Sequence, residues 1–294
     1  MAKLNPRVDV VFKKLFGVEE NKDLLVSLIN SIVSQEDQIE GVTLLNPYNL
    51  KNFLNDKLSI LDIKAKGLNG QYYNIEVQIS DESDYDKRAL YYWAKLYTEQ
   101  LKESSDYEVL KKTIGIHILN FTSIPEVEQY HNTFIVTEKD MGIPYFKDFE
   151  LHTIELKKFT SNPKENLTDI AAKVKSSLDR WAAFLSRHDL LEKESLPKEL
   201  EDKNLKKAIG VLEHMRFGDL ERQHYEDHLK WLRIESSALK KHGEKKLEEG
   251  IGIGEERQKQ KALEEKKEIA RSLLDRGLSR QEISEITGLK EGEF

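Results

Sequence analysis

The sequence of 294 residues contains no cysteine. That excludes a disulfide framework, a thiolate nucleophile and a zinc finger of the Cys type. Positive charge is not in surplus either: 46 Lys and Arg stand against 53 Asp and Glu, a formal net charge of -7. A uniformly basic coat is thereby excluded, and any contact with a polyanion has to come from a local cluster of Lys and Arg. No run of residues approaches the length of a membrane span, and the start, Met1 to Arg7, lacks the apolar stretch of a signal peptide. The expectation is a cytoplasmic protein with no membrane partner. What is present, 38% hydrophobic and 34% charged residues, suits ordered domains with a highly charged part.

Hydrophobic periodicity orders the chain. Val8, Phe12, Leu15 and Phe16 are spaced as one face of a helix over 7–16, and a second helix is expected over 22–34. The period then becomes strand-like at 42–45, 57–66 and 72–79, with Asn69-Gly70 as a turn between the last two. A helix rich in aromatics follows over 84–103, then strands over 112–121, 131–138 and 150–157. This order predicts an α/β domain, a mixed sheet flanked by helices, over 1–159. Beyond Thr160-Ser161-Asn162-Pro163 the pattern is helical, with one helix expected over 166–187 and a long charged one over 219–246. An all-α C-terminal region therefore divides into an accessory domain at 160–248 and a charged tail at 249–294. The glycines of Gly250-Ile251-Gly252-Ile253-Gly254 predict a hinge between them.

The hairpin at 57–79 carries the chemistry. Side chains alternate along a strand, so Leu61, Ile63, Ala65, Ile75, Val77 and Ile79 share one apolar face, and Asp62, Lys64, Lys66, Asn74, Glu76 and Gln78 share the other. Asp62 stands opposite Glu76 only if the loop has three residues, Leu68, Asn69 and Gly70, with Gly70 left-handed. Their Cβ atoms would then lie about 4.5–5.5 Å apart. Two carboxylates so close need a cation between them, and Mg²⁺ takes one or two carboxylates while keeping water for substrate phosphate. Lys64 on the same face could steady developing charge. Spacing alone equally fits the solvated face of an ordinary amphipathic hairpin.

Asp62 followed by Glu76-Val77-Gln78 resembles the D…(D/E)-x-K signature of the PD-(D/E)XK nucleases. Together with Asp9-Val10-Val11-Phe12-Lys13-Lys14-Leu15-Phe16-Gly17 and Arg88-Ala89-Leu90-Tyr91-Tyr92-Trp93, the likeness narrows to the recombination-promoting nucleases, also described as PD-(D/E)XK transposases. It runs from about residue 3 to 159. The resemblance implies a restriction-endonuclease-like sheet and a DNA endonuclease linked to recombination or mobile elements, using Mg²⁺, Mn²⁺ or Ca²⁺. It makes Asp62, Glu76 and Val77 the metal ligands, puts Gln78 in the place of the lysine, and makes Asp9 a further acid. Because Gln78 carries no charge, the resemblance leaves open whether Lys64 takes over its role. It also leaves a DNA-binding module with a degenerate site, or a transposase joining strands, as alternatives. Lys13 and Arg88 are candidates for substrate phosphate. Asp9 and Lys13, four apart on a helix, fit a surface ion pair equally, and Arg88 fits a cap on packed tyrosines.

Two further signals are weaker. His224 and His228 have the helical spacing of zinc ligands but lack a third. Ser279-Arg280-Gln281-Glu282 reads as a capping box that opens a second helix in the tail, like the first two helices of a helix-turn-helix. Only Lys290 to Phe294 remain for a recognition helix, so the tail suits a protein contact better. A homodimer contact through Glu256 to Lys267 is one expectation, a solvated charged helix the other.

Overall fold

The structure, a computed structural model, describes residues 3–48, 63–80, 84–103, 106–160, 162–290 and 292–294. A six-stranded mixed sheet is its centre, in the order β1-β2-β3-β4-β6-β5. The strands are β1 (Val42–Leu44), β2 (Ile63–Gly67), β3 (Tyr72–Gln78), β4 (Thr113–Leu119), β5 (His131–Thr137) and β6 (Pro144–Glu155). The β1–β2, β2–β3 and β5–β6 pairs are antiparallel, whereas β3–β4 and β4–β6 are parallel. The expected mixed sheet flanked by helices is therefore present. Residues 57–62 of the expected second strand lie outside the described residues.

One face of the sheet is aliphatic. Ile75 and Val77 from β3, Ile114, Ile116 and Ile118 from β4 and Ile154 from β6 are buried in one core. Helices α1 (Asp9–Phe16) and α2 (Lys22–Ile32) supply Phe12, Leu15, Phe16, Leu25 and Ile29 to it. The helices that follow the short α4 (Leu156–Phe159) fill the same core. They are α5 (Leu167–Lys173), α6 (Ser177–Arg187) and α7 (Lys203–His214), and Phe16 meets Trp181 of α6 edge-on at 5.4 Å.

The single helix expected over 166–187 is two. The Ser176 hydroxyl accepts from the Asp179 N–H while the Asp179 carboxylate accepts from the Ser176 N–H, which starts α6 afresh. Likewise β6 begins six residues before the strand expected at 150, because its first residues pair with the end of β5, Phe146 with Val136 and Pro144 with Thr137; Pro144 is tolerated at the first strand position.

The other face of the sheet lies under the aromatic helix α3 (Tyr85–Thr98), which buries Tyr85, Ala89, Trp93 and Leu96. Trp93 donates from Nε1 to the Thr113 carbonyl at 2.7 Å and packs on Phe149.

The chain divides into two compact units, Met1–Leu229 and Lys230–Phe294. Helix α8 (Asp219–Asp275) begins in the first and ends in the second. It runs without a break through 250–254, where a hinge was expected. Each glycine costs a helix about 1 kcal/mol relative to alanine, and the Glu, Lys, Gln and Leu residues on either side are strong helix formers. In the second unit Gly277 turns the chain at φ 88°, and the Ser279–Glu282 capping box opens α9 (Arg280–Thr287) as expected. Ala270, Ile283 and Leu289 close a small core there. Among the described residues no helix is long and apolar enough to cross a membrane.

A buried polar chain crosses the start of the parallel strands. Lys112 Nζ lies 2.7 Å from Asp37 and 2.8 Å from Glu150, whose other oxygen is 2.7 Å from His152. His152 in turn is 3.0 Å from His131. Burial raises the Glu150 pKa, but hydrogen bonds from His152 and Lys112 outweigh it and hold the carboxyl at about 2. Burial, then the neighbouring His152, pushes His131 down to about 4. The Glu150 contacts stabilise the fold while its carboxylate is charged and are lost as pH falls, and the buried His131 ring resists a proton that the unfolded chain accepts, so both make stability fall with pH. Unfolding free energy should therefore decline from about pH 6.5 towards 4 through His131, and from about 4.5 towards 2 through Glu150. Lys112→Met, which leaves two carboxylates without their cation, should cost about 3 kcal/mol at neutral pH in denaturant unfolding.

Candidate functional site

The β2–β3 register is the one that the three-residue loop requires. Ile63 faces Ile75 and Lys64 faces Asn74, while Gly70 takes φ 92° and donates to the Gly67 carbonyl at 2.9 Å. Asp62 itself lies outside the described residues.

Beyond the hairpin, the parallel pairing sets Glu76 beside His117 and Gln78 beside Leu119, and β6 adds Thr153 beside His117. Asn74, Glu76 and Gln78 therefore sit on an internal strand under α3, and all three are buried. The solvated amphipathic face that spacing alone allowed is not what these residues form, because β4 flanks β3 and α3 covers it.

Glu76 is 2% exposed, with Oε2 3.3 Å from His117 Nδ1. Its Oε1 has no hydrogen-bond partner among the described residues, and neither has the amide of Asn74. Gly115 makes room for the histidine: a Cβ there would stand 3.3 Å from His117 Nε2. Tyr85, the first residue of α3, closes over the ring edge-on at 5.7 Å. Burial, and then the negative charge of Glu76, pushes the Tyr85 pKa well up, so its hydroxyl keeps its proton.

Gln78 is held at both ends. Its Oε1 accepts from Arg88 Nη2 at 2.9 Å, and its Nε2 donates to the Ser80 carbonyl at 3.2 Å. Helix α3 thus brings a guanidinium to the residue that stands in the lysine position of the signature. The Gln78 main-chain oxygen accepts from the Asn120 N–H at 2.9 Å, and the half-buried Arg7 donates to the Asn120 side chain. Burial lowers the Arg7 pKa, opposed by the charge of Asp189. Lys64 is drawn elsewhere, 3.4 Å from Glu99 at the far end of α3.

The remaining candidates occupy other places. The Val77 side chain is in the aliphatic core, so only its carbonyl is available as a ligand. Lys13 lies in the last turn of α1, beside the start of β2, since a Cβ on Gly17 would stand 3.6 Å from Ile63. Asp9 opens α1, with Oδ1 accepting from the Val10 N–H at 2.7 Å. Near it, Tyr48 has its pKa raised by burial, then by Glu221, and last by Asp9. Glu221 is 2.8 Å from Lys14. The structure therefore joins Glu76, Gln78 and Arg88 and adds His117, Gly115 and Arg7, which sequence reasoning passed over. Alternation in the strand at 112–121 held the signal: with the isoleucines on one face, Gly115 and His117 must share the other.

Among the described residues no group of three His, Cys, Asp or Glu side chains converges as a metal site. A family model described as a PD-(D/E)XK nuclease family transposase matches residues 6–242. No curated protein and no solved structure matches the chain.

The Gly115 gap has a measurable consequence. Gly115→Ala should cost about 1–3 kcal/mol, because the ring must shift between Glu76 and Tyr85. In a double-mutant cycle with His117→Ala, the two losses should sum to more than the loss in the double variant. Additive losses would refute the contact.

Proposed function

The chain belongs to the PD-(D/E)XK nuclease family transposases, and from that premise we propose that it is a metal-dependent DNA endonuclease. The observation that carries the reading is Glu76: a carboxylate 2% exposed, with one oxygen lacking a partner among the described residues. An unsatisfied buried carboxylate oxygen is costly, and a hard divalent cation such as Mg²⁺ or Mn²⁺ is the partner that suits it. Asp62, the residue before Ile63, and the Val77 carbonyl would complete the ligand set. When bound, the cation supplies activation of water and neutralises charge on the scissile phosphate.

The chain's own residues do the rest. His117 supports Glu76 from behind, as groups next to metal ligands commonly do. Gln78 does not supply the positive charge of the missing lysine; it fixes Arg88, whose guanidinium does so and can hold phosphate through two donors. Lys64, committed to Glu99, is a less suitable source. Lys13 and Asp9, on the helix beside the start of β2, would contact the DNA backbone and the site from the other side. In this reading 1–159 carries the chemistry, 160–248 supports it and 249–294 serves contacts, in keeping with a role in recombination or mobile elements.

Nicking of supercoiled plasmid under Mg²⁺, Mn²⁺ and Ca²⁺ tests it. The wild type should cut in a metal-dependent way, and folded Asp62→Ala and Glu76→Gln proteins should fall to background. Arg88→Met should lose on the order of 100-fold in rate. Gln78→Lys should lower activity, because the new ammonium would face Arg88. Wild-type protein that neither cuts nor binds a divalent cation by calorimetry would instead favour a module that binds DNA without cutting it. Joined rather than hydrolysed ends would make it a strand-transferring transposase.

A further inference from the structure

Among the described residues the sheet ends on one side in a strand that is neither short, charged nor interrupted by proline. Among the described residues β5 pairs with β6 alone, so its outer edge is open. Edge strands are ordinarily blunted by short length, charge or proline. The opposite edge, β1, follows that rule with three residues. By contrast β5, His131-Asn132-Thr133-Phe134-Ile135-Val136-Thr137, has seven residues with no Lys, Arg, Asp, Glu, Gly or Pro.

Its side chains are as open as its edge. Phe134, Ile135 and Val136 on β5, with Met141, Ile143 and Tyr145 at and after the turn, are 38–85% exposed. Counted over both sides of the strand and the turn, they expose on the order of 600 Å² of apolar side chain. The β5–β6 ladder is irregular between Phe134 and Val136, around Ile135, so regular pairing is confined to the first half of the strand.

We propose that β5 and the adjoining turn form a dimer interface, in which two copies of this chain pair antiparallel, edge to edge, about a two-fold axis. Three observations favour a second copy as the occupant. An antiparallel pair of identical strands is self-complementary, so each copy brings the partner that the other edge needs. The exposed area, with the main chain of the edge added, approaches the roughly 800 Å² per partner of a stable interface. The charges of the segment 131–149 argue against nucleic acid: Lys139 and Lys147 against Glu138, Asp140 and Asp148 leave it at -1, whereas a DNA-binding arm needs net positive charge.

Sedimentation of the full-length protein, with and without single substitutions, tests the interface. The wild type should be a dimer at micromolar concentration. Ile135→Lys and Tyr145→Ser should each weaken association at least about tenfold, a loss of about 1.4 kcal/mol, with the circular dichroism spectrum of the folded chain unchanged. Because the chain has no cysteine, Thr133→Cys should cross-link on oxidation, whereas the exposed Lys157→Cys should not. A wild type that stays monomeric overturns the proposal. So does a dimer that survives both substitutions and is lost with Ile286→Glu, which assigns association to the C-terminal unit. Association only with another protein's strand overturns it too.

Discussion

The free energy of one buried carboxylate shapes half of this fold. Glu76 lies in the middle of β3, where an ionised side chain away from water costs several kcal/mol unless neighbours compensate it. The surface around it is built accordingly. Gly115 gives up a side chain in the adjoining strand so that the His117 ring fits. The ring reaches Glu76 from one side and meets Tyr85 on the other. Tyr85 can close over it because α3 turns an aromatic face to the sheet, fixed at mid-length by Trp93 on the Thr113 carbonyl. The Arg88–Gln78 bond follows from the same placement, one helical turn after Tyr85.

Much of this was legible in the sequence, and the failures have identifiable causes. The register of the hairpin followed from parity and from the left-handed Gly70, both local properties. The capping boxes at Ser176 and Ser279 were equally local, but only the second was read. Val174 and Trp181 kept helical spacing across the break before Ser176, and the apolar period masked it. What was hidden depended on strand neighbours. Periodicity says which side chains share a face, but not whether that face meets water. The burial of Asn74, Glu76 and Gln78 comes from β4 pairing in parallel, with Gly115 level with Asn74 and His117 level with Glu76. That register joins residues about 40 apart in sequence. The signature around Glu76 and the candidacy of Arg88 were therefore readable, whereas the placing of His117 behind Glu76 and of Arg88 on Gln78 was not.

The helices α5 to α7 and the start of α8 bear on the placing of α1, the helix that packs on the aliphatic face of the sheet. Helix α1 is held from two directions. On the sheet side, its C-terminal Gly17 abuts Ile63 at the start of β2: a Cβ there would meet Ile63 at 3.6 Å, an ordinary contact, but would stand 2.8 Å from the Lys13 carbonyl. On the helical side, Phe16 packs on Trp181 and Lys14 is paired with Glu221 at the start of α8. Glu221 also accepts from the Tyr48 hydroxyl and the Gly218 N–H. The same segment of chain passes through Arg7, whose bond to Asn120 reaches the carboxyl end of β3 and β4. The place of α1, and with it of Asp9 and Lys13, therefore depends on contacts more than 150 residues away in sequence. A helical region that only decorated the sheet could be lost without consequence for that place. One that grips α1 by an aromatic pair and an ion pair whose carboxylate is buried sets it, so the packing around the hairpin is a property of the whole first unit.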